Sequence, residues 1–217
     1  MKILAFLIAV IAERVFKSDW LNLKNRLYDV YRCHKREKKD RSSILLQSLL
    51  ISGEDHRFFA HGGFDIIAIF RALWRGTILG KREGASTIEM QIVRVLTGCY
   101  ERNLKRKIRE VALATLLTRV VPKSELPSVY LLIGYYGWKM NGIKEACKRL
   151  SLDPRLIRLE DAALLIARLK YPQPRCTSAI RISQIERRAR HLINLHRKHL
   201  RLRIYEGLST QVDYATI

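Results

Sequence analysis

The 217-residue sequence predicts a mainly α-helical protein, and three observations support this fold class. Apolar residues recur at helical spacing along most of the chain, glycine and proline stand where these segments end, and no stretch alternates apolar and polar residues as a half-buried strand would. Hydrophobic residues make up 48% of the chain, which is enough for one domain with a sizeable core and argues against a disordered basic tail.

The expected helices follow one another through short connections. The strongest pattern is a set of four leucines on one helix face, at positions 45, 46, 49 and 50. This helix is expected to end near Ser52-Gly53, because glycine commonly follows the last helical turn. The other helices are expected at residues 19–32, 65–79, 86–97, 104–120, 125–136, 159–170 and 182–200. Charged connectors are expected at residues 34–41 and 80–84.

Charge and cysteine content limit the classes of partner and cofactor. Lys and Arg total 41 against 20 acidic residues, so the formal charge is 41 − 20 = +21, which predicts an anionic partner. Nucleic acid, acidic lipid headgroups and phosphorylated substrates all fit this charge. The four cysteines lack the CxxC spacing, so neither a zinc site nor a disulfide scaffold is expected.

The N-terminus carries an apolar run from Ile3 to Ala12, which Glu13 and Arg14 interrupt. The run is shorter than the roughly 20 residues that span a bilayer, and no small-residue cleavage site of a signal peptide follows it. A short membrane anchor, an interfacial helix and a first core helix all fit this pattern. We expect membrane association, through an anchor or an interfacial helix within residues 1–18.

A first chemical cluster lies at residues 54–65. The carboxylate pair Glu54-Asp55 ends an apolar helix and precedes two phenylalanines, and a carboxylate in such partly apolar surroundings is a candidate general base. The alternative is a surface pair that only terminates a helix. The spacing of His56 and His61 matches no standard ligand motif, so these histidines are not expected to bind a metal.

A second cluster lies at residues 84–94. Ser86 and Glu89 have the spacing of a capping box, which predicts a helix start at Ser86 and an anion site at its free N–H groups. Thr87, Gln91 and Arg94 share one face of this helix and form a polar stripe. An ordinary amphipathic helix is the alternative.

A third cluster, at residues 102–110, is strongly basic. Asn103 is a plausible N-cap, and Arg106 and Glu110 are four residues apart on a face opposite the expected buried one. Dense cations around one carboxylate favour its ionised form and would also hold a pyrophosphate. The alternative is a solvated basic face. The face expected to be buried comprises Leu104, Ile108, Val111, Ala112 and Thr115.

The order and spacing of these clusters are more specific than any one of them. The series ED-x-x-F-x-x-H-x-G-x-D, G-x-STI-x-x-Q-x-x-R and R-x-x-x-RK-x-x-E resembles the peptidoglycan glycosyltransferase family, whose members occur alone or as the first domain of bifunctional penicillin-binding proteins. Residues 123–137 and 160–192, which include Arg187-Arg188, resemble the family's fourth and fifth motifs. The resemblance covers roughly residues 40–195.

The resemblance implies a lysozyme-like, mainly α fold with a head and a smaller membrane-contacting jaw, to which residues 65–80 would belong. The glycosyltransferase domain would be residues 19–200, followed by a tail at 201–217. The enzyme would polymerise lipid II into β-1,4-linked glycan with inversion and release undecaprenyl pyrophosphate. Its expected partners are lipid II, the nascent glycan, the outer face of the bacterial cytoplasmic membrane and other cell-wall synthesis proteins, but no nucleic acid.

The resemblance also implies residue roles. Glu54 resembles the family's catalytic base, and Asp55 would support it. Glu110 resembles the second catalytic glutamate, and it would organise the cations around it or a divalent metal, Mg or Mn, the one cofactor that stays open. The residues expected to bind substrate are Asp55, Ser86, Thr87, Gln91, Arg94, Arg102, Arg106, Lys107 and Arg109.

Two other functions stay open beside this one. A lysozyme-like enzyme that cleaves glycan would use Glu54 as a general acid but has no need of a pyrophosphate clamp. A non-catalytic lipid II-binding member would keep the clamp, and departures from the family pattern at Glu89, Val95 and Leu132 point in that direction. Since no sequence remains for a transpeptidase domain, a monofunctional enzyme that does not bind penicillin is expected.

Overall fold

The structure is a computed structural model that describes residues 2–36, 44–80, 84–101 and 103–208. Most of the two expected connectors, Arg102 and residues 209–217 lie outside these ranges. The described part contains ten α-helices and one two-stranded sheet, which confirms the mainly α prediction. The helices are α1 (Lys2–Val15), α2 (Lys17–Arg36), α3 (Ile44–Glu54), α4 (Ile66–Leu79), α5 (Ile88–Thr97), α6 (Leu104–Val120), α7 (Leu126–Ile133), α8 (Gly142–Leu150), α9 (Leu159–Lys170) and α10 (Ala179–Arg201).

The chain divides into two compact units. The first unit contains residues 1–28 and 57–123, and the second contains residues 29–56 and 124–217. In the first unit, α6 packs against both α1 and α5. In the second unit, α3 packs against α7, α9 and α10.

The first unit holds its motif-bearing loop by a close backbone approach. Gly63 has a φ of +103°, and a Cβ atom there would lie 2.6 Å from the Ala114 carbonyl oxygen of α6. The Gly63 carbonyl accepts a hydrogen bond of 2.7 Å from Thr87 Oγ1 at the start of α5. Downstream, Asp65 caps α4 by accepting from the Ile67 N–H at 3.0 Å. The loop is therefore fixed to α5 and α6 and leads directly into α4.

The second unit is centred on α3. Three of the four leucines that were predicted to share one helix face, Leu46, Leu49 and Leu50, are fully buried, and α3 ends at Glu54, close to the predicted stop. Two elements were not predicted. The sheet pairs β1 (Tyr135–Gly137) with β2 (Met140–Asn141) and is too short for an alternating pattern. Helix α8 begins at Gly142, a residue that disfavours helices but whose φ of +82° and contact with the Leu132 carbonyl leave no room for a Cβ.

Exposed apolar side chains are concentrated on two helices of the first unit. None of the residues of α4 is buried, and Phe70, Leu73 and Trp74 are 66%, 59% and 66% exposed. On α1, Ala9 and Ala12 are buried while Phe6, Ile11 and Val15 remain largely exposed. The N-terminal run thus combines a packed face with an apolar outer face. Among the described residues, no helix has the length and apolar character needed to cross a membrane.

Candidate functional site

The buried carboxylate of Glu110 is the centre of a partly buried basic cluster in the first unit. Its side chain is 3% exposed, and Arg94 donates to both carboxylate oxygens, from Nε to Oε1 at 2.7 Å and from Nη2 to Oε2 at 3.2 Å. Arg106 Nη1 also donates to Oε1, and Lys107 Nζ lies 3.8 Å from Oε2. We call Arg94, Arg106, Lys107 and Glu110 the basic cluster. Three cations around one carboxylate leave a formal charge of 3 − 1 = +2.

The structure corrects the predicted faces of α6. Leu104 and Ile108, which were expected to be buried, are 76% and 54% exposed, and Glu110, which was expected on the opposite face, is 2% exposed. The reason is that the charged face of the first turns of α6 packs against α5, where Arg94 donates hydrogen bonds to Glu110. Ala112 and Thr115, further along α6, are buried as predicted.

The start of α5 also differs from the prediction. The capping-box prediction at Ser86 is wrong, because Thr87 is the N-cap and accepts from the Met90 N–H at 3.3 Å. Thr87 is 2% exposed and is held in place by its bond to the Gly63 carbonyl. Ser86 is thereby left to face the basic cluster, where its Oγ accepts from Arg94 Nη2 at 3.2 Å and from Lys107 Nζ at 3.1 Å. The structure thus brings Ser86, Arg94, Arg106 and Lys107 together. Thr87 instead caps α5 and is bonded to the loop at Gly63.

The remaining expected substrate-binding residues of this unit lie elsewhere. Arg109 Nη2 donates to Asp19 Oδ1 of α2 at 2.6 Å, which turns it away from Glu110. Gln91 is half-buried on α5, one helical turn from Thr87 and Arg94. Arg102 lies outside the described residues.

Burial lowers the pKa of Lys107 to about 8, an effect that Arg94 and Arg106 reinforce and Glu110 opposes. Near neutral pH the ammonium is still charged, but its charge is the one in the cluster most easily lost. Both oxygens of Glu110 already contact basic groups. Oε1 has two arginine donors and Oε2 has one, so a divalent metal at this carboxylate would share Glu110 with the basic groups around it.

An apolar groove adjoins the basic cluster. It has a volume of about 470 Å³ and runs between α1 and α6 of the first unit. Lys107 belongs to both features: its ammonium bonds Ser86, so the aliphatic part of its side chain lines the groove. The apolar lining includes Ile11, Val15, Phe16, Ile108 and Val111. A cationic site beside an apolar groove fits a ligand with an anionic head and an apolar tail.

Glu54 occupies the last turn of α3 in the second unit. Its side chain is 18% exposed, and Oε1 accepts from Arg188 Nη2 of α10 at 3.1 Å. Arg188 Nη2 also donates to the Gly53 carbonyl at 2.7 Å. Asp55, the expected support of Glu54, is 7% exposed. A carboxylate that arginine holds in place and that is still partly exposed is accessible to a substrate hydroxyl and has the chemistry of a general base.

Sequence reasoning missed two ion-paired residues. Arg188 was noticed only as part of a motif, since 134 residues separate it from Glu54. Lys123 donates to Glu89 Oε1 at 2.7 Å and to the His61 carbonyl at 2.6 Å, and its ammonium lies 4.4 Å from the centre of the Phe58 ring. Glu89 is fully buried. The only feature of the sequence that pointed to this ion pair was Glu89 itself, which departs from the residue usual in the family.

Comparisons with known proteins agree on one family. The family described as Transglycosylase matches residues 25–196. Penicillin-binding protein 1A of Aquifex aeolicus (strain VF5) is 32% identical over 160 residues, which cover 71% of this chain and 22% of that protein. Biosynthetic peptidoglycan transglycosylase of Thiobacillus denitrificans (strain ATCC 25259 / T1) is 31% identical over 153 residues, covering 70% of this chain and 65% of that protein.

A relative with a shorter match is penicillin-binding protein 1A of Escherichia coli (strain K12), which is 38% identical over 99 residues, 45% of this chain and 12% of that protein. The chain therefore spans a minor part of the penicillin-binding proteins and about two thirds of the biosynthetic transglycosylase. The part of this chain that matches the family contains Glu54, Arg188 and the whole basic cluster.

Proposed function

This chain belongs to the transglycosylase family, and on that premise we propose that it is a peptidoglycan glycosyltransferase. Its substrate is lipid II, a disaccharide-peptide carried on a lipid pyrophosphate, and its product is a β-1,4-linked glycan strand. Two relatives bear names that support this assignment, a biosynthetic peptidoglycan transglycosylase and a penicillin-binding protein 1A.

The observation that carries the proposal is the basic cluster beside the apolar groove. The reaction expels a lipid pyrophosphate, so the enzyme must bind a multiply charged anion whose substituent is a long apolar chain. The formal charge of +2 on the basic cluster supports charge-assisted hydrogen bonds to such an anion. The groove along α6 supports binding of the first part of the lipid.

In the proposed step, Glu54 is the general base. The 4-hydroxyl oxygen of the acceptor sugar attacks the anomeric carbon of the donor, and Glu54 takes the hydroxyl proton as the new carbon–oxygen bond forms. The bond from the anomeric carbon to the phosphate oxygen breaks, and its electron pair leaves with the lipid pyrophosphate. Attack from the face opposite the leaving group converts an α-linked donor into a β-linked product.

Arginines of the basic cluster stabilise the charge that develops on the pyrophosphate. Arg94 and Arg106 are held in place by Glu110, so their orientation does not have to be reorganised during the reaction. Glu110 thus acts through the cations that it positions. A divalent metal would supply further charge neutralisation. Because the Glu110 oxygens already have basic partners, the assay below compares the reaction rate with and without Mg²⁺.

A lysozyme-like cleavage reaction is less well supported. Hydrolysis between two sugars releases no pyrophosphate, so it gives no role to three cations around Glu110.

We also propose that the first unit contacts a membrane surface from the outer side of the bacterial cytoplasmic membrane, where lipid II and the growing glycan are its partners. The exposed apolar residues of α4 alternate with Arg71 and Arg75, a combination suited to the boundary between lipid headgroups and acyl chains. Other cell-wall synthesis proteins are expected partners on the basis of the family alone.

The function is tested by incubating the purified protein with labelled lipid II in detergent, with and without Mg²⁺. Polymer should form with the parent protein, and Glu54→Gln should lower its rate by about 10²- to 10⁴-fold because the base is lost. Glu145→Gln, which changes an exposed glutamate of α8 in the same unit, should leave the rate unchanged.

Two outcomes would contradict the assignment. Equal rates for the parent protein and Glu54→Gln would remove Glu54 as the base. Binding of lipid II without polymer from any variant would identify a non-catalytic binding member, and release of soluble fragments from preformed glycan would identify a hydrolase.

A further inference from the structure

A buried polar network lies at the end of the second unit. Its members are Ser52, His196, His199 and Tyr205, which are 4%, 4%, 5% and 0% exposed, and we call them the polar network. The Tyr205 hydroxyl bonds Ser52 Oγ and lies 3.1 Å from His196 Nδ1. His199 Nδ1 lies 3.0 Å from Ser52 Oγ. Three hydrogen bonds thus join the two hydroxyls to each other and to one ring nitrogen of each imidazole.

The polar network connects three segments of the chain. Ser52 belongs to the last turn of α3, both histidines belong to α10, and Tyr205 lies in the turn that follows α10. Ser52 stands two residues before Glu54. Through the bond between His199 and Ser52, the network therefore joins the helical turn that carries the proposed base to a residue 147 positions further along the chain.

The same face of α10 makes further contacts with this turn. Arg188 bonds the Gly53 carbonyl and the Glu54 carboxylate. A Cβ atom on Gly53 would lie 2.4 Å from Leu192 Cδ2, so α10 approaches the α3 backbone closely at this point. Arg188, Leu192, His196 and His199 are spaced by four, four and three residues, and they form one continuous stripe along α10.

Apolar side chains would hold two helices together at lower cost than this network does. Burial of a hydroxyl or an imidazole is unfavourable unless the group forms hydrogen bonds. Hydrogen bonds depend on the angle between donor and acceptor, whereas apolar contacts do not, so such a network fixes the orientation of the helices. Hydrogen bonds to Ser52 fix both the rotation and the axial position of the last turn of α3. A displacement of about 1 Å at a reacting group is enough to slow a reaction strongly.

We propose that the polar network is a positioning device for Glu54. It holds the last turn of α3 against α10 and thereby keeps the carboxylate in the place required for proton transfer. The role of Glu54 in this statement rests on the proposed glycosyltransferase function. The network residues do not touch the reacting atoms and act only through α3.

Two tyrosine variants separate positioning from general stability. Tyr205→Phe removes the hydroxyl that joins Ser52 to His196 and preserves the ring. Tyr136→Phe is the matched control, because Tyr136 is also fully buried in the second unit and its hydroxyl donates to the Leu131 carbonyl at 3.2 Å, outside the polar network. Both variants lose one buried hydroxyl and its hydrogen bonds.

With labelled lipid II, Tyr205→Phe should lower kcat by about tenfold or more while KM stays within about twofold, because ground-state binding is not the property that positioning controls. Tyr136→Phe should keep kcat within about twofold. Tm is measured for both variants. The proposal is overturned if kcat is unchanged in Tyr205→Phe, or if both variants lose kcat in proportion to their loss of Tm.

Hydrogen exchange supplies a readout that does not depend on activity. The Asp55 amide bonds the Ile51 carbonyl at 3.0 Å in the last turn of α3. Exchange in a peptide that covers residues 51–56 should become at least about tenfold faster in Tyr205→Phe and stay unchanged in Tyr136→Phe, since local opening exposes these amides. Unchanged exchange in Tyr205→Phe would overturn the positioning role. If the parent protein forms no polymer, the proposed function fails, and the exchange experiment alone still decides whether the network holds this turn.

Discussion

Lys107 is the residue of the basic cluster whose charge depends on pH in an accessible range. Its pKa is lowered to about 8, chiefly by burial, whereas Arg94 and Arg106 keep their charge as guanidinium groups. Below pH 8 the cluster has three cations, and above pH 8 it loses one of them. Affinity for a pyrophosphate substrate should therefore decline as pH rises through this value.

Lys107→Arg tests this dependence. We expect the KM for lipid II to rise between about pH 7 and pH 9 in the parent protein, by about threefold to tenfold for the loss of one charge-assisted contact. The variant should show no such rise, because arginine stays protonated. KM is measured from initial rates at each pH. Identical profiles for the two proteins would show that Lys107 does not contact the substrate.

Glu89 and Lys123 form a buried ion pair in the first unit that serves stability. Glu89 is fully buried, so Lys123→Met should leave an uncompensated carboxylate and lower the free energy of unfolding by about 3 kcal/mol or more. The double variant Glu89→Met with Lys123→Met should recover most of this loss, because neither charge is then buried alone. Urea denaturation measures both. A double variant that is less stable than Lys123→Met alone would contradict this account.

The acidic and basic members of the candidate site were largely identifiable from the sequence. Glu54, Glu110, Arg94, Arg106 and Lys107 stand in short motifs whose spacing is visible along the chain. Their partners from distant segments were not identifiable. No local pattern connects Lys123 to Glu89 or Arg188 to Glu54, because such pairs arise only when separate helices pack together.

At the scale of elements, long periodic helices were predicted well and short irregular elements were not. Helices α3, α9 and α10 carry apolar residues at regular helical spacing, and their observed ranges agree with prediction within a few residues. In the turn between β1 and β2, Lys139 has a φ of +54°. A lysine rarely adopts this left-handed conformation, so the turn could not be predicted from its residue types. The buried face of α6 was assigned wrongly because its first turns are occupied by charges that pair across to α5.

Replacement of glycine by alanine should change the stability of the protein in opposite directions at two positions. Gly63→Ala should destabilise the protein by about 2 kcal/mol or more, because the new Cβ would lie 2.6 Å from the Ala114 carbonyl oxygen and φ is +103°. Gly76→Ala should stabilise it by about 0.5–1 kcal/mol, because Gly76 lies within exposed α4 and nothing surrounds its missing Cβ.

Chemical denaturation of the parent protein and both glycine variants measures these changes. A neutral Gly63→Ala variant would mean that the loop at residues 61–65 is not held against α6 as described. Since that loop is joined to Thr87 through the Gly63 carbonyl, Gly63→Ala should also slow polymer formation, whereas Gly76→Ala should not.

At the scale of the whole molecule, charge and apolar surface together support the proposed contact with a membrane surface. The sequence carries a formal charge of +21, and most of the exposed large apolar side chains of the first unit lie on α1 and α4. Positive charge alone would also suit nucleic acid, but the exposed aliphatic side chains beside Phe70 and Trp74, which are Ile67, Leu73 and Ile78, have no ring on which a base could stack. The charge should attract the protein to anionic headgroups, and the apolar residues should hold it there.

Vesicle binding separates these two contributions. The protein should sediment with vesicles that contain anionic phospholipid, and added salt should weaken binding without abolishing it. Leu73→Ser should lower the remaining salt-resistant binding by about threefold to thirtyfold, as expected for loss of one buried leucine side chain. Leu156→Ser is the matched control, since Leu156 is 82% exposed in the second unit and lies away from α4 in sequence.

Deletion of residues 1–18 then assigns the apolar contribution to one helix or the other. If α1 supplies it, the shortened protein should leave the vesicles at high salt even with α4 intact. If α4 supplies it, the shortened protein should stay bound, and Leu73→Ser should weaken that binding as it does in the full chain. Equal binding by Leu73→Ser, Leu156→Ser and the parent protein would mean that α4 does not enter the lipid, and the exposed apolar residues of this helix would then need a protein partner.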